Sequence, residues 1–299
     1  MTEKIQSCLN PLSGLLLRNA RTIIRLKYYH NFRRKINLSH PVLFHDKIFW
    51  LALNTDTRLW TELADKYAVR QFVAKKIGPQ YLNEIFGVWD DPDDIFFSSL
   101  PNEFVLKTTH GSAGNIIVRD KTQINASEIC HTLHHWLSLN YGALTGQPHY
   151  AAITPRVICE RMLFQDPEDP GMLPVDYKFY CFGGKAEYCN IFANRKENSH
   201  DVTKMIFDMD WNAHPEAYDQ GDVHYKKGNV NFPKPKAFDE MRLIAEKLSA
   251  GIPFVRVDLY CIADRPLFGE MTFTPGMDIY YTLNFQRHLG DLIKIDNLK

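Results

Sequence analysis

The sequence predicts an α+β protein, on two observations. Strand-type runs arrive as consecutive pairs joined by short turns, around residues 104–118, 175–192 and 254–273, which is the signature of antiparallel hairpins. Helix-type periodicity is confined to stretches of its own, around 61–77, 127–139 and 237–250.

The chain has 299 residues, enough for one large domain or two smaller ones, and a formal net charge of zero, so no global field argues for a nucleic-acid partner. Its six cysteines include no Cys-x-x-Cys pair and most lie in apolar runs. They read as reduced core thiols of a cytoplasmic protein, neither a disulfide framework nor a zinc site. No apolar run reaches the ~20 residues of a membrane span.

In chain order, Arg18, Arg21, Arg25, Lys27, Arg33, Arg34 and Lys35 stand among Leu15, Leu16, Leu17, Ile23, Ile24 and Leu26. Two readings apply: a basic helix lying on an anionic membrane surface, at the inner face, or a helix packed on the main domain with a solvated basic face. The second is the expectation. A helix over 61–77 follows from Leu63, Ala64, Tyr67, Ala68, Phe72 and Val73, with Gly78 as its stop and Lys66 near its start. Phe104–Thr108 and Asn115–Val118 read as strands around a tip that contains His110, Gly111, Ser112, Ala113 and Gly114. Glycines there let backbone N–H groups converge on an anion, and Lys107 adds a charge, but the loop lacks the Walker ending and leads into a strand.

Ser127 is the expected N-cap of a helix with Ile129, Leu133, Trp136 and Leu137 on one face. Its His131, His134 and His135 have no neighbouring Asp, Glu or Cys pattern, so a solvated face is expected there. Val157–Glu160 reads as a buried strand, and residues 166–174 as an acidic, proline-rich loop. In the hairpin turned at 183–185, Asp176 and Lys178 share one face while Tyr177, Phe179 and Cys181 share the other. Residues 200–236 read as irregular, and 237–250 as a helix stopped by Gly251.

The last hairpin is the most polar. Period-2 alternation puts Arg256 and Asp258 on one face of its first strand, and Glu270 and Thr272 on one face of its second. Two close carboxylates repel unless a cation lies between them, and Mg²⁺ takes such oxygen ligands. An exposed hairpin with ordinary ion pairs explains the same pattern, and both readings stay open at this point.

The order of these parts resembles the ATP-grasp superfamily of carboxylate–amine ligases, and within it the TupA-like, teichuronopeptide-biosynthesis group. The likeness rests on 63–70 with Asp65-Lys66, on 104–108 followed by His110-Gly111-Ser112, on 176–179, and on 255–260 with 269–273; it covers about residues 40–290. It implies an ATP-grasp fold, in which two α+β subdomains clasp ATP between antiparallel sheets. The division it implies is a basic helical segment (1–40), a helical region (41–100), a subdomain with the glycine-rich loop (101–163) and a subdomain with the Mg²⁺ hairpin (164–299).

The resemblance also implies roles. Lys66 and Lys107 contact ATP phosphates, and the backbone of Gly111, Ser112, Ala113 and Gly114 closes over them. Glu160, Arg161, Met162 and Leu163 form the hinge that reads adenine, and Lys178 approaches the phosphates from another strand. Asp258, Glu270 and Thr272 hold Mg²⁺, with Thr272 standing where many relatives have Asn. Arg256 stabilises the transferred phosphoryl group, and His110 touches the acceptor. Asp166, Glu168 and Asp169 are the ribose candidates. The implied reaction joins an amino acid or other amine to a uronic-acid carboxylate of a bacterial surface polysaccharide or its precursor. A glycosyltransferase, with Asp208-Met209-Asp210 as its sugar-nucleotide site, and a non-catalytic ATP-binding scaffold are the alternatives.

Overall fold

The computed structural model describes residues 18–112, 114–165, 171–195, 202–219, 226–227, 231–277 and 279–295. Within them, helices α1 (Ala20–Phe32), α2 (Phe44–Asn54), α3 (Arg58–Ala64) and α4 (Val69–Lys76) precede strands β1 (Ile85–Trp89), β2 (Phe104–Thr108) and β3 (Asn115–Val118). Helices α5 (Ala126–Ser138), α6 (Tyr141–Thr145) and α7 (Pro148–Ala151) follow, then strands β4 (Val157–Glu160), β5 (Asp176–Phe182), β6 (Lys185–Ala193), β7 (Thr203–Asp208) and β8 (Lys226–Lys227). Helix α8 (Phe238–Ser249), strands β9 (Phe254–Ile262) and β10 (Arg265–Thr272) and helix α9 (Leu283–Leu292) complete the order. The fold is α+β, as expected.

The chain divides into two compact units. Described residues up to Ile24, with Asp56–Phe72 and Leu82–Met162, form the first; Arg25–Thr55, Val73–Tyr81 and the chain from Leu163 onward form the second.

The first unit holds an antiparallel sheet in the order β1-β4-β2-β3. Alternation along β2 buries Phe104, Leu106 and Thr108 and leaves Val105 and Lys107 on the other side. Helix α5 closes over the buried face, with Leu133 in a core of Phe104, Leu106, Val118, Val157 and Cys159, and Ile129, Trp136 and Leu137 packed against it. The helix starts two residues before the position a Ser127 cap sets, because Asn125 caps it: Asn125 Oδ1 accepts the Glu128 N–H at 3.3 Å.

The second unit holds a sheet in the order β10-β9-β5-β6-β7-β8, antiparallel except for the β7–β8 pair. Helix α8 covers one face with Phe238, Met241, Ile244, Ala245 and Leu248, all buried; Phe238 stacks on Phe179 of β5 at 5.6 Å between ring centroids. The β5–β6 turn is a two-residue Gly183-Gly184 turn with φ of 59° and 91°, left-handed conformations that suit a twisted hairpin. Ala263 and Asp264 turn β9 into β10 with positive φ as well.

Three sequence expectations are corrected. The helix expected over 61–77 is two helices, α3 and α4, and Lys66 lies in the turn that separates them. Asp65 Oδ1 accepts the N–H groups of Tyr67 (2.8 Å) and Ala68 (3.2 Å), so a side chain replaces the helical partners and the helix restarts. The stretch 200–236 is not irregular throughout: Met205, Ile206 and Phe207 are fully buried in β7, which pairs with β6. An unbroken apolar run has no period to read. Gly183-Gly184 alone make the turn, and Lys185 already belongs to β6.

Of the two readings of the basic segment, helix α1 buries Ala20, Ile24, Tyr28 and Phe32, four residues at spacing four. Tyr28 and Phe32 pack on His45, at 6.0 and 5.2 Å between rings. Leu15, Leu16 and Leu17 lie outside the described residues. Among the described residues no helix is long and apolar enough to cross a membrane, and Cys130, Cys159, Cys181, Cys189 and Cys261 are free thiols.

Candidate functional site

In the second unit the polar faces of three neighbouring strands meet. In the β9–β10 pair, Leu267 stands opposite Tyr260 and Phe268 opposite Leu259; beyond that the register shifts by one, so that Glu270 faces Asp258 and Thr272 faces Arg256. Gly269 is the extra residue, a β-bulge. A Cβ at Gly269 would lie 3.0 Å from the carbonyl oxygen of Asp258, so the two strands approach there at a distance that suits glycine. On the other side of β9, Lys178 of β5 stands opposite Asp258. The predicted sharing of faces by Arg256 with Asp258, and by Glu270 with Thr272, is therefore realised, and the bulge brings the two pairs together.

Arg256 is the hub. Its Nε and Nη2 donate to Asp258 Oδ1 and Oδ2 at 2.7 and 2.6 Å, a bidentate pair. Nη2 also donates to Glu270 Oε1 and Thr272 Oγ1, each at 3.0 Å, and the Thr272 hydroxyl donates to Glu270 Oε1 at 3.0 Å. Lys178 Nζ lies 2.6 Å from Asp258 Oδ2 and 3.2 Å from Asp176 Oδ2. Arg195 Nη1 reaches the same Asp176 oxygen at 2.8 Å. Cation and anion alternate through the cluster, from Arg195 to Asp176, Lys178, Asp258, Arg256 and Glu270, so the six charges cancel.

Burial by itself would lower the pKa of Arg256 and of Lys178. The carboxylates outweigh it: Asp258 and Glu270 hold Arg256 well above the arginine range, and Asp176 and Asp258 hold Lys178 above the lysine range. Burial raises the Asp258 carboxyl against the pull of Arg256 and Lys178. Asp258 is 2% exposed, whereas the Glu270 side chain is 42% exposed. Three acidic or hydroxyl oxygens with one outward opening are what a hard cation needs.

Next to this cluster on the same face, Asn190 of β6 stands opposite Lys178. Asn190 Oδ1 accepts from the Tyr218 hydroxyl at 2.7 Å, its Nδ2 donates to Tyr281 Oη at 3.1 Å, and the Tyr281 hydroxyl donates to that of Tyr180 at 3.0 Å.

The first unit carries the remaining basic candidates. Lys107 Nζ donates to Glu160 Oε2 across the β2–β4 pair at 2.5 Å. Lys66 Nζ donates to the carbonyl oxygen of Gly111, which ties the turn after α3 to the glycine-rich loop. The base of that loop is fixed by a reciprocal pair of bonds: Thr109 N–H donates to Arg156 O at 2.9 Å, and Arg156 N–H to the Thr109 hydroxyl oxygen Oγ1 at 3.0 Å. His110 is buried, and its Nε2–H donates to Leu139 O at 2.9 Å, beyond the end of α5. Burial pushes its pKa down. A Cβ at Gly114 would lie 3.2 Å from the Trp136 ring, while Ser112 is exposed and Ala113 lies outside the described residues. Arg161 pairs with Glu84; its N–H donates to Glu84 O at 2.9 Å and its carbonyl accepts from Asn83 Nδ2 at 2.8 Å. Met162 is buried and Leu163 half-buried.

Two functional-type residues escape sequence reading. Gly269 carries the usual signal, a glycine inside a strand pattern marking a bulge or a close approach. Arg195 carries none: it sits past the end of β6, after Asn194 at φ 56°, in a polar stretch without period. The sugar-nucleotide candidate is a turn device. Asp208 Oδ1 accepts the N–H groups of Asp210 and Asn212 at 3.0 and 2.8 Å, and its Oδ2 lies 3.3 Å from His214 Nε2. Asp166, Glu168 and Asp169 lie outside the described residues.

A sequence profile described as TupA-like ATP-grasp matches residues 46–294. No protein of curated function matches the sequence. Among solved structures, D-alanine–D-alanine ligase from Bacillus anthracis complexed with ATP matches at TM-score 0.50 and 13% identity, over 83% of this chain and 72% of that one. A second structure of that ligase matches at TM-score 0.49 and 15% identity, over 80% and 68%. The ATP-grasp ligase PsnB complexed with a minimal precursor matches at TM-score 0.44 and 10% identity, over 82% and 63%. The chain thus spans about two thirds of the length of these ligases, and at 13% identity the likeness to the ATP complex is one of fold.

Proposed function

The chain belongs to the TupA-like ATP-grasp family, and from that premise we propose that it is an ATP- and Mg²⁺-dependent carboxylate–amine ligase that works through an acylphosphate. The observation that supports this best is the meeting of Lys178, Arg256, Asp258, Glu270 and Thr272 on one sheet face. Phosphoryl transfer asks little covalent help from a protein; it asks for placed cations and a metal around the moving charge.

Asp258, Glu270 and the Thr272 hydroxyl hold Mg²⁺, which supplies positive charge to the phosphate oxygens. Lys66, Lys107 and Lys178 bind phosphates. The main chain of Gly111, Ser112, Ala113 and Gly114 closes over them, and Glu160 to Leu163 receive the adenine. With the Arg161 main chain engaged by Glu84 and Asn83, the adenine contacts fall to the other three residues of this stretch. Arg256, released from part of its carboxylate contact, stabilises the charge that develops on the phosphoryl group and on the tetrahedral intermediate. His110, expected to touch the acceptor, is buried with Nε2 on Leu139 O, so its role is to anchor the loop.

In the first step an acceptor carboxylate oxygen attacks the γ-phosphorus and ADP leaves. In the second an amine nitrogen attacks the acyl carbon, the C–O bond to phosphate breaks, phosphate leaves and the amine gives up a proton. The acceptor we propose is a uronic-acid carboxylate of a bacterial surface polysaccharide or its precursor, and the amine an amino acid.

Incubation with ATP, Mg²⁺, a uronate oligosaccharide and mixed amino acids tests the reading. ADP and phosphate in step with amide product are expected. ATP turnover with a different acid and none with uronate overturns the acceptor. Absence of ADP release with every acid, despite ATP binding, favours the scaffold, and release of a nucleoside diphosphate from a sugar nucleotide favours a glycosyltransferase.

A further inference from the structure

The histidines of α5 stand in no metal-ligand pattern in sequence, but the fold brings two carboxylates to His134 from about 40 residues away. Asp91 and Asp93 flank Pro92, which opens a 3₁₀ turn (Pro92–Asp94). Asp91 Oδ1 accepts the Asp93 N–H at 2.9 Å, and the Ile95 N–H donates to Pro92 O at 3.2 Å. These bonds and the fixed proline φ hold both acids in place. From α5, His134 presents Nε2 to Asp93 Oδ1 at 3.2 Å and to Asp91 Oδ1 at 3.7 Å. The three ligand-type atoms all lie within 4.8 Å of one another. One helical turn earlier, Cys130 Sγ donates to Pro92 O at 3.4 Å, which sets its thiol beside the same turn. A shallow pocket opens here, and its lining includes Asp93, Cys130, His131 and His134 beside the apolar Ile95 and Phe97.

We propose that Asp91, Asp93 and His134 bind one divalent transition-metal ion, with Zn²⁺ as the best fit. Zinc takes carboxylate oxygen and imidazole nitrogen at about 2.0–2.2 Å, so a tetrahedral ion sets neighbouring ligand atoms about 3.3 Å apart. The two separations from His134 already approximate that edge. Two carboxylates on one turn repel each other, and a cation between them removes the repulsion. An imidazole in the donor set selects against Mg²⁺, which prefers six oxygens. The exposed pocket leaves the remaining coordination position open to water.

The ion would tie the 92–94 turn to α5. That helix also supports the glycine-rich loop, through the His110 bond to Leu139 O and the Trp136 ring beside Gly114. Metal at this site therefore stiffens the backing of the loop without touching a nucleotide. None of this depends on the ligase reading.

The test uses the full chain, stripped with chelator and returned to millimolar Mg²⁺. Calorimetric titration with Zn²⁺ is run on the wild type, His134→Ala and Asp93→Asn, with melting temperature measured with and without Zn²⁺. All three side chains are exposed, so the variants are expected to melt like the wild type without Zn²⁺. The wild type is expected to bind one Zn²⁺ at least ten-fold more tightly than either variant, and to gain melting temperature with Zn²⁺ that the variants do not gain. Equal stoichiometry and affinity in the three proteins overturns the proposal. So does a wild-type melting temperature that Zn²⁺ leaves unchanged, since the cluster is then a plain histidine–carboxylate bridge.

Discussion

Asp258 and Glu270 face each other across one strand pair, yet their surroundings differ, and so do the effects expected of changing them. Asp258 is buried beneath Arg256 and Lys178; removing its carboxylate leaves each of these buried cations with one carboxylate fewer, Glu270 remaining to Arg256 and Asp176 to Lys178, and breaking such a buried pair costs about 3–5 kcal/mol. Glu270 shares Arg256 with Asp258 but opens to solvent. Glu270→Gln is therefore expected to lower ATP turnover at least a hundred-fold while leaving the melting temperature within a few degrees, whereas Asp258→Ala loses turnover and melts far lower. Turnover assays beside thermal melts separate the two, and a Glu270→Gln enzyme of normal activity removes the proposed metal role. In the first unit, His149 of α7 is fully buried against Trp60, and burial lowers its pKa from 6.5 to about 3. The unfolded chain binds a proton between those values that the folded chain refuses. Its contribution to stability is thus complete above pH 6.5 and falls with pH below it, by up to about 1.4 kcal/mol per unit. Melting temperatures measured from pH 7 to pH 4.5 are expected to fall less steeply for His149→Phe than for the wild type.

At the scale of elements, the bulge at Gly269 decides whether the β10 residues meet those of β9. With the register of Leu267 and Phe268 continued, Glu270 would stand opposite Val257 and point away from Asp258. A side chain at 269 presses on the Asp258 carbonyl, so Gly269→Val is expected to weaken Mg²⁺–nucleotide binding at least ten-fold, a loss that calorimetry measures; unchanged affinity would show that the shifted register is dispensable. The faces of β9 and β10 were legible because alternation is a local property. The pairing of those faces was not, because one inserted residue sets it. The same contrast holds elsewhere. The apolar stripes of α5 and α8 could be read from spacing. The break after α3 could not, since Asp65 and its two amide partners make a periodic helix locally unfavourable without disturbing the apolar pattern. Strand β7 was missed because Met205, Ile206 and Phe207 are all buried and leave no polar residue to mark a period.

For the whole molecule, the order of motifs along the chain made the family legible before any geometry, since each soft signal gains weight from its neighbours. What stayed hidden is non-local. Arg195 joins Asp176, and Asp91 and Asp93 join His134, only because folding brings separated stretches together. The electroneutral row from Arg195 to Glu270 has a final consequence for the order of binding. At rest, a guanidinium and an ammonium already occupy the oxygens that a metal would use. A divalent ion arriving alone has to evict both, leaving Arg256 short of counter-charge and Lys178 with Asp176 alone. One arriving on a triphosphate brings phosphate oxygens that take over the displaced cations. Mg²⁺ and ATP should therefore enter as a single guest: calorimetry is expected to find feeble uptake of Mg²⁺ by the free protein and strong uptake of the Mg²⁺–nucleotide pair, and tight binding of the bare ion would contradict this exchange of partners.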